Sequence, residues 1–490
     1  MMPANSQKLG YRDFFKGKLR LDASLHIGSS DITVETDAAL LRDACGRFYI
    51  PGTSIAGSLR ARAGDRFDEQ DLINAVFGWQ DRETGQKSKL FVADAIYHDA
   101  FFPTVRDGVA IDRRYGAAYP GAKYDLEITP PDLELDLIIR LETRDNDDTE
   151  MMRHLVFEIM EDFRLGKIRL GGQKSGGLGR CRFEYVWHTL DFNDLNQVRT
   201  FLIAKGVENK VDALPRTTYK PASELTRQKG TGEIDVRIEM AIDSGSFLIK
   251  DGREGDETDA VFTRVYGKNG ESVDYIPGSS VKGVFRSRAE KILRTLGRDI
   301  CDILDKEKGC AAVIKQKIDE KTEACRKKDC EFGDKDAFEI VRQESCPVCR
   351  LFGNEQWASR ILFSDAFFEK KPKKKTRDNV AIDRFTGGAA EGKLFNAAPV
   401  VQGKTSFRIL IRKPDNFDKA LLLFLLRDLK DGFPPLRFGY GKTRGYGLLN
   451  LTSVEINGET YKGDGIDLTS VLNPMPDFHE WWKEGQHHGG

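Results

Sequence analysis

The chain carries no excess of charge. Its 490 residues hold 76 basic and 77 acidic side chains, for a net charge of −1. A nucleic-acid partner therefore cannot be argued from overall charge, and any basic surface must be local. No hydrophobic run approaches the roughly 20 residues that a membrane helix needs. The stretch from Met1 to Lys18 is polar, without the apolar core of a signal peptide. A cytoplasmic location and no membrane partner are the expectations. Histidine is scarce, at seven residues, which leaves few candidates for imidazole chemistry. Cysteine is nearly absent outside one region: six of the eight fall between Cys301 and Cys349. In a cytosolic chain such crowding favours metal ligation over disulfides.

What the chain does have is an internal echo. Ile50-Pro51-Gly52-Thr53-Ser54-Ile55-Ala56-Gly57-Ser58-Leu59-Arg60-Ala61-Arg62 returns as Ile276-Pro277-Gly278-Ser279-Ser280-Val281-Lys282-Gly283-Val284-Phe285-Arg286-Ser287-Arg288. Thr36-Asp37-Ala38 returns as Thr258-Asp259-Ala260, and Val109-Ala110-Ile111-Asp112-Arg113 returns unchanged at Val380–Arg384. The loop Gly171-Gly172-Gln173-Lys174-Ser175-Gly176-Gly177-Leu178-Gly179 returns without a gap at Gly439–Gly447. Such echoes mean a tandem duplication. The offset is 226 at the Pro-Gly turn (50 and 276), 275 at Phe77-Gly78 and Phe352-Gly353 (77 and 352), 271 at Val109 and 268 at the glycine loop. The jump from 226 to 275 marks one insertion, and it coincides with the cysteines.

Each copy reads as strand, helix, strand, strand, helix, strand, with long insertions, which is the ferredoxin-like order of an α+β fold. In the first copy the strands fall at Leu19–Ile27, Lys89–Tyr97, Leu133–Leu141 and Arg180–Val186. One helix follows Pro51, with Thr53-Ser54 at its N-cap and Ile55, Leu59 and Ala63 on one face. The other helix spans Met151–Phe163. The expected organisation is a first domain over 1–190, a linker with a short helix over 191–232, and a second domain over 233–490 with a cysteine-bearing insert at about 298–350.

Three features carry chemistry. Glycines at the density of the two loops let backbone amides approach a phosphate, and Lys174 and Lys442 add charge in the same register. A helix N-terminus after a small turn is an anion site in waiting. Ser54 and Ser280 stand in those turns, and Arg60, Arg62, Lys282, Arg286 and Arg288 lie on or near the helices. The duplicated Arg-x-Arg reads as a track for a phosphate backbone, suited to a polymer. Finally, Cys325-x4-Cys330 and Cys346-x2-Cys349 have zinc-ligand spacing. Cys301 and Cys310 are rivals for the second pair. The first copy lacks both insert and cysteines, so the zinc is expected to be structural.

With these motifs, and Cys346-Pro347-Val348-Cys349-Arg350-Leu351-Phe352-Gly353, the chain resembles the RAMP superfamily of CRISPR effector backbone subunits. It is most similar to the type III class and to the tandem, two-unit subunit of type III-D. The resemblance covers roughly residues 18–190 and 233–455. It implies two RRM-like palms with long β-hairpin thumbs, here Arg106–Pro130 and Arg377–Pro399, carrying Arg113 and Arg384. It also implies guide RNA (crRNA), target single-stranded RNA and other effector subunits as partners. An aspartate in the loop after the first strand would cleave the target, which carries over to Asp37 and Asp259. Mg²⁺ or another divalent metal would assist, since a carboxylate can hold a metal or accept the proton of a ribose 2′-hydroxyl. The loop from Asp259 to the Pro-Gly turn is longer by four residues than that from Asp37, a weaker match. A non-catalytic guide-binding subunit, a guide-processing endoribonuclease and a free-standing zinc-stabilised RNA-binding regulator are the alternatives. His26 is expected to be structural or to touch RNA. The run Lys370–Arg377 is a further candidate for contact with RNA.

Overall fold

A computed structural model describes residues 8–29, 36–80, 84–221, 225–226, 232–243, 245–250, 258–328, 332–432 and 434–462. The first half is built on β1 (Leu9–Leu21), longer and earlier than the expected strand. Its inward side chains sit in rows across the sheet. Phe15 lies opposite Ile139 and Trp187, and Leu19 opposite Leu135 and Phe183. After β1 come α1 (Gly52–Arg66), β2 (Leu90–Val92), β3 (Glu134–Arg144), α2 (Thr149–Arg164) and β4 (Cys181–Asp191). The antiparallel sheet runs β4-β1-β3-β2, with the short strand Ala95–Ile96 also on the outer edge of β3. That order, with both helices on one face, is the ferredoxin-like arrangement. Ile55, Leu59 and Ala63 of α1 are fully buried, as their spacing predicts.

The second half repeats this plan. Its elements are β5 (Glu233–Ile242), α3 (Gly278–Thr295), β6 (Ile361–Ser364), β7 (Val400–Arg412), α4 (Asn416–Asp431) and β8 (Asn450–Ile456). The core sheet order is β8-β5-β7-β6. Ile238 lies opposite Phe407 and Val454, and Phe285 of α3 packs against Phe363 and Phe407. The four extra residues after Asp259 are accounted for by a hairpin, Arg264–Tyr266 with Ser272–Ile276, which lies downstream of the aspartate.

Two long hairpins stand off the sheets: Thr104–Ile111 with Ala118–Ile128, and Arg377–Ile382 with Ala389–Ala397. The duplicated Ile-Asp-Arg forms each tip. Asp112 Oδ1 accepts the Arg114 amide at 2.7 Å, and Asp383 Oδ1 accepts those of Phe385 and Thr386 at 2.8 and 2.9 Å. These Asx turns reverse the chain. The insert contributes two helices, Cys310–Lys328 and Asp334–Glu344. Part of the expected linker is built into the fold, since Val211 and Leu214 are buried with Phe14 and Leu190 behind β1 and β4.

The halves are joined by pairing. Gly176-Gly177 of the first glycine loop runs parallel to Phe363-Ser364 of β6. A small core closes over the joint, with Leu126, Ile128 and Leu178 from one side and Val265 and Tyr275 from the other. Among the described residues no helix is long and apolar enough to cross a membrane.

Candidate nucleic-acid interface and metal centre

Both candidate aspartates are held the same way. Asp37 donates its amide to Asp125 Oδ1 at 2.8 Å, and the Asp125 amide returns a bond to Asp37 Oδ2 at 3.0 Å. Asp259 donates to Asn396 Oδ1 at 2.8 Å and receives the Asn396 amide on Oδ2 at 2.8 Å. Asp125 and Asn396 stand at equivalent positions (271 apart) on the second strand of each hairpin. Thus the Thr-Asp-Ala loop is pinned to the hairpin base in both copies, with the aspartates exposed. Among the described residues no partner takes Asp37 Oδ1. The first copy places a second carboxylate beside the aspartate where the second places an amide. Sequence inspection missed this pair, because Asp125 and Asn396 differ and belong to no shared word.

The Arg-x-Arg echo has a different role from the expected phosphate track. Arg60 donates to the Gly78 carbonyl at 2.7 Å and to Asn74 Oδ1 at 2.9 Å. Its counterpart Arg286 donates to the Gly353 carbonyl at 2.7 Å and to Glu290 Oε1 at 3.0 Å. Each arginine therefore ties its helix to the Phe-Gly turn. Arg62 reaches Asp162 on α2 at 2.7 Å, and Arg288 reaches Asp428 on α4 at 2.5 Å, which locks the two helices of each half together. Arg62 also pairs with Glu233 at the start of β5. All four guanidiniums point into the protein because buried charges need partners there.

The helix starts also depart from expectation. Pro51 and Pro277 occupy the N-cap positions without side-chain caps, and Thr53-Ser54 lies inside the first turn. The free amides of Gly52 and Gly278 are taken by Asp94 and Asp365, each at 2.7 Å. A carboxylate from the protein occupies the place assigned to a phosphate. Ser54 and Ser280 are half-buried. The glycines are likewise explained by close packing. A Cβ on Gly171 would stand 2.2 Å from the His26 carbonyl oxygen, and one on Gly439 2.3 Å from that of Leu248. The Gly172 and Tyr440 amides bond those same carbonyls, so Leu248 is the structural counterpart of His26. His26 Nδ1 is bonded to the Glu127 carbonyl at 2.7 Å.

A cationic cluster remains at the joint. Lys282 Nζ donates to Ser175 Oγ at 2.7 Å, and burial, then Arg286, pushes its ammonium down to about 8. Burial and then Arg412 lower Lys174. Burial, then Arg412 and Arg180, bring Arg169 down to about 10. Burial, then Arg62, lowers Arg412, whose buried Nε has no partner among the described residues. Cations this close and this poorly neutralised favour an anion beside them. Arg169 and Arg412 carried no signal in the sequence, since their proximity arises from the joint.

On the hairpins, Arg113 is engaged: it donates to Glu290 Oε2 at 3.1 Å. Arg384 is exposed, and beside it Phe385 is 100% exposed. Lys442 is lowered by burial and by the charge of Arg113. In the lysine run, Lys374 pairs with Asp274 at 2.6 Å, while Lys370, Lys371, Lys373 and Lys375 are exposed.

The thiols brought together as a candidate metal site include the rival pair. Cys301, Cys310, Cys346 and Cys349 bring their sulfurs within 4.8 Å of one another. Cys325 lies on the long insert helix outside this cluster, and Cys330 lies outside the described residues. Tetrahedral zinc with sulfur ligands at about 2.3 Å sets sulfur–sulfur spacings near 3.8 Å. Cys301 Sγ is 3.5 Å from Cys349 Sγ and 3.7 Å from Cys346 Sγ. Hydrogen bonds from Cys301, then Cys310, hold the Cys346 and Cys349 thiols below their usual range, while hydrogen bonding within the same cluster holds Cys301 and Cys310 above theirs. Arg286 donates to Cys349 Sγ at 3.2 Å, an outer contact of the kind that orients metal ligands. The four thiols suit a metal such as zinc.

A family model described as the RAMP superfamily matches residues 18–182 and again 258–450. Two curated relatives are each named CRISPR system Cms endoribonuclease Csm3. That of Methanocaldococcus jannaschii is 24% identical over 198 residues, covering 35% of this chain and 78% of its own. That of Streptococcus thermophilus is 24% identical over 215 residues, covering 38% of this chain and 96% of its own. Each relative is thus about one repeat long beside this chain. With the ferredoxin-like plan present twice and the family model matched over most of both halves, the chain belongs to the RAMP superfamily as a tandem member.

Proposed function

We propose that this chain is a backbone subunit of a type III CRISPR effector that binds guide RNA, opens the guide–target duplex and cleaves the paired target RNA at one site per repeat. The observation that carries the reading is the identical pinning of Asp37 and Asp259 to the two hairpin bases. A hairpin that displaces one nucleotide of the target would bring that nucleotide to the aspartate beside its base. The joint cluster of Arg169, Lys174, Lys282 and Arg412, with Lys442 and Arg384, supplies local charge for guide phosphates despite the neutral total. The family resemblance of two curated endoribonucleases supports RNA as substrate.

The chemistry needs little from the protein. The 2′-hydroxyl of the displaced nucleotide attacks the adjacent phosphorus and its proton passes to the aspartate. The bond from phosphorus to the 5′-oxygen breaks, that oxygen takes a proton from solvent water, and the products are a 2′,3′-cyclic phosphate and a 5′-hydroxyl; the aspartate returns its proton to solvent. A divalent ion such as Mg²⁺, where bound, would be held by Asp37 with Asp125 and would supply positive charge against the phosphate. Zinc on Cys301, Cys310, Cys346 and Cys349 would be structural, since the first repeat keeps its aspartate without it.

The test is a cleavage map. Guide-loaded complex is given complementary RNA with Mg²⁺, and cuts are compared for the wild type, Asp37→Ala and Asp259→Ala. Loss of one cut per substitution is expected. Cutting that persists in the double variant would falsify both assignments. Cleavage of a free guide precursor by the isolated chain would instead support the processing reading.

A further inference from the structure

The joint between the repeats has two faces, and duplication has written each face twice. On one side stands Arg106 at the base of the first hairpin, with Gly176-Gly177 beside it. On the other stand Asp365, Gly278 and Ser279. Arg106 is only 6% exposed. It reaches the two oxygens of Asp365 at 3.1 and 3.4 Å, the Gly176 carbonyl at 2.9 Å and Ser279 Oγ at 3.2 Å. A Cβ on Gly177 would lie 2.0 Å from Asp365 Oδ1, so the contact depends on that glycine.

The receiving face recurs in the first repeat. Asp94 is the counterpart of Asp365 (271 apart) and caps Gly52 as Asp365 caps Gly278. Thr53 stands for Ser279, and the edge of β2 stands for β6. Here, however, Asp94 is exposed, and among the described residues no arginine pairs with it. The inserting face recurs in the second repeat, but altered. Arg377 is the counterpart of Arg106 and is exposed, 5.9 Å from the Tyr446 ring. The place of Gly176 is taken by Arg444, whose guanidinium lies over Phe395 at 5.3 Å and Tyr440 at 4.8 Å. The loop there is a 3₁₀ turn, Lys442–Arg444, rather than a strand. At Gly176 even a Cβ would come within 3.3 Å of the Ser279 side chain, so a side chain as long as arginine would crowd the receiving face.

We propose that the Asp94 face is a socket for a different protein built on the same repeat. That protein would insert an arginine from its hairpin base and a Gly-Gly pair from its glycine loop, and a second copy of this chain would not fill the socket. The charge complement is an unpaired carboxylate awaiting a guanidinium, and the internal joint is the template. The inference deepens the proposed assembly with sister subunits and rests on it.

A photo-crosslinking p-benzoylphenylalanine at Ala56, the counterpart of Lys282, tests it in the tagged full-length chain purified as its native ribonucleoprotein. The expected crosslink joins residue 56 to the glycine loop of another RAMP-family chain. Breaking a desolvated charge pair costs association at least about tenfold, so Asp94→Arg should lower the crosslink yield by that factor. Asp94→Asn keeps an oxygen for the Gly52 amide. It should melt like the wild type while still losing crosslink. A crosslink to a second copy, to a protein outside the family, or one undiminished in both Asp94 variants overturns the socket. If sister subunits still co-purify in that case, the assembly reading stands. A particle with no other RAMP-family chain overturns both. The isolated wild-type chain should be monomeric by light scattering, and multimers that dissociate in Asp94→Arg would also overturn the proposal.

Discussion

Lys282 should weaken the free protein that carries it. Its ammonium is half-buried at the joint, bonded to Ser175 Oγ, and pushed from 10.5 down to about 8 by burial and by Arg286. The folded value lies below the unfolded one, so the unfolded chain binds the proton more tightly between those limits. Stability must therefore rise with pH across that window. A shift of this size corresponds to roughly 3 kcal/mol of cost at pH 7. About 2 kcal/mol of it should vanish by pH 9.5, as the folded lysine loses its proton and the unfolded one keeps it. Lys282→Met removes the ammonium, retains the apolar stem, and gives up one hydrogen bond to a charged group, worth about 2 kcal/mol. The net expectation is a variant more stable than the wild type at pH 7 by about 1 kcal/mol. Denaturant unfolding at pH 7 and pH 9.5 reads this out, and the gap between the two proteins should shift toward the wild type at the higher pH. If Lys282 serves a guide phosphate, the same variant should bind guide RNA more weakly, with a salt slope smaller by about one. Parallel stability curves at the two pH values would refute the electrostatic reasoning, whatever the RNA result.

Four other outcomes follow from the geometry. Asp125→Asn gives the first site the polar contacts of the second. If Asp125 only pins the loop, the first cut should persist; if its charge is used, cutting there should fall at least about tenfold, and the Mg²⁺ dependence of that cut should steepen. Stripping the metal with a chelator, or Cys310→Ser, should release zinc measured by atomic emission and expose the Cys310–Lys328 helix to protease, while Cys325→Ser should leave the metal content unchanged. The same loss should loosen the first hairpin, because Arg113 is held by Glu290, Glu290 by Arg286, and Arg286 reaches Cys349; hydrogen exchange at the Asp112 turn is the measurement. Arg286→Met should cost about 3 kcal/mol by leaving Glu290 Oε1 and the Gly353 carbonyl without their arginine partner, visible as a lowered denaturation midpoint.

The two hairpin tips are held differently. Both carry exposed apolar side chains, Ile111 and Tyr115 on the first and Ile382 and Phe385 on the second, while Arg113 anchors the first on α3. Exposed apolar patches mark interaction surfaces, which fits the duplex-opening role proposed for the hairpins.

The sequence by itself determined the duplication, the ferredoxin-like order of elements and the insert. These depend on repeated words, alternation and helical spacing, all written locally along the chain. Spacing also singled out the pair Cys346 and Cys349, whereas the two hairpins and the roles expected of Asp37 and Asp259 came from the family resemblance, with the shared Thr-Asp-Ala marking the place. It pointed to Cys325 and Cys330 for the second pair, with Cys301 and Cys310 as rivals, because Cys325-x4-Cys330 has the spacing of a zinc knuckle. Only the path of the chain after α3 brings Cys301 and Cys310 back to the knuckle and leaves Cys325 along a helix. The roles of the arginines were likewise decided in three dimensions. Arg60, Arg62, Arg286 and Arg288 look like a phosphate track in sequence because their partners Gly78, Asp162, Gly353 and Asp428 lie 18, 100, 67 and 140 residues away. A cation points to whichever counter-charge or carbonyl the fold brings nearest, and sequence distance does not report that. Asp125, Asn396, Asp94 and the Arg106–Asp365 lock belong to the same class. Each acts through a partner supplied by another element, and so became visible only where the two repeats fold against their own hairpins and against each other.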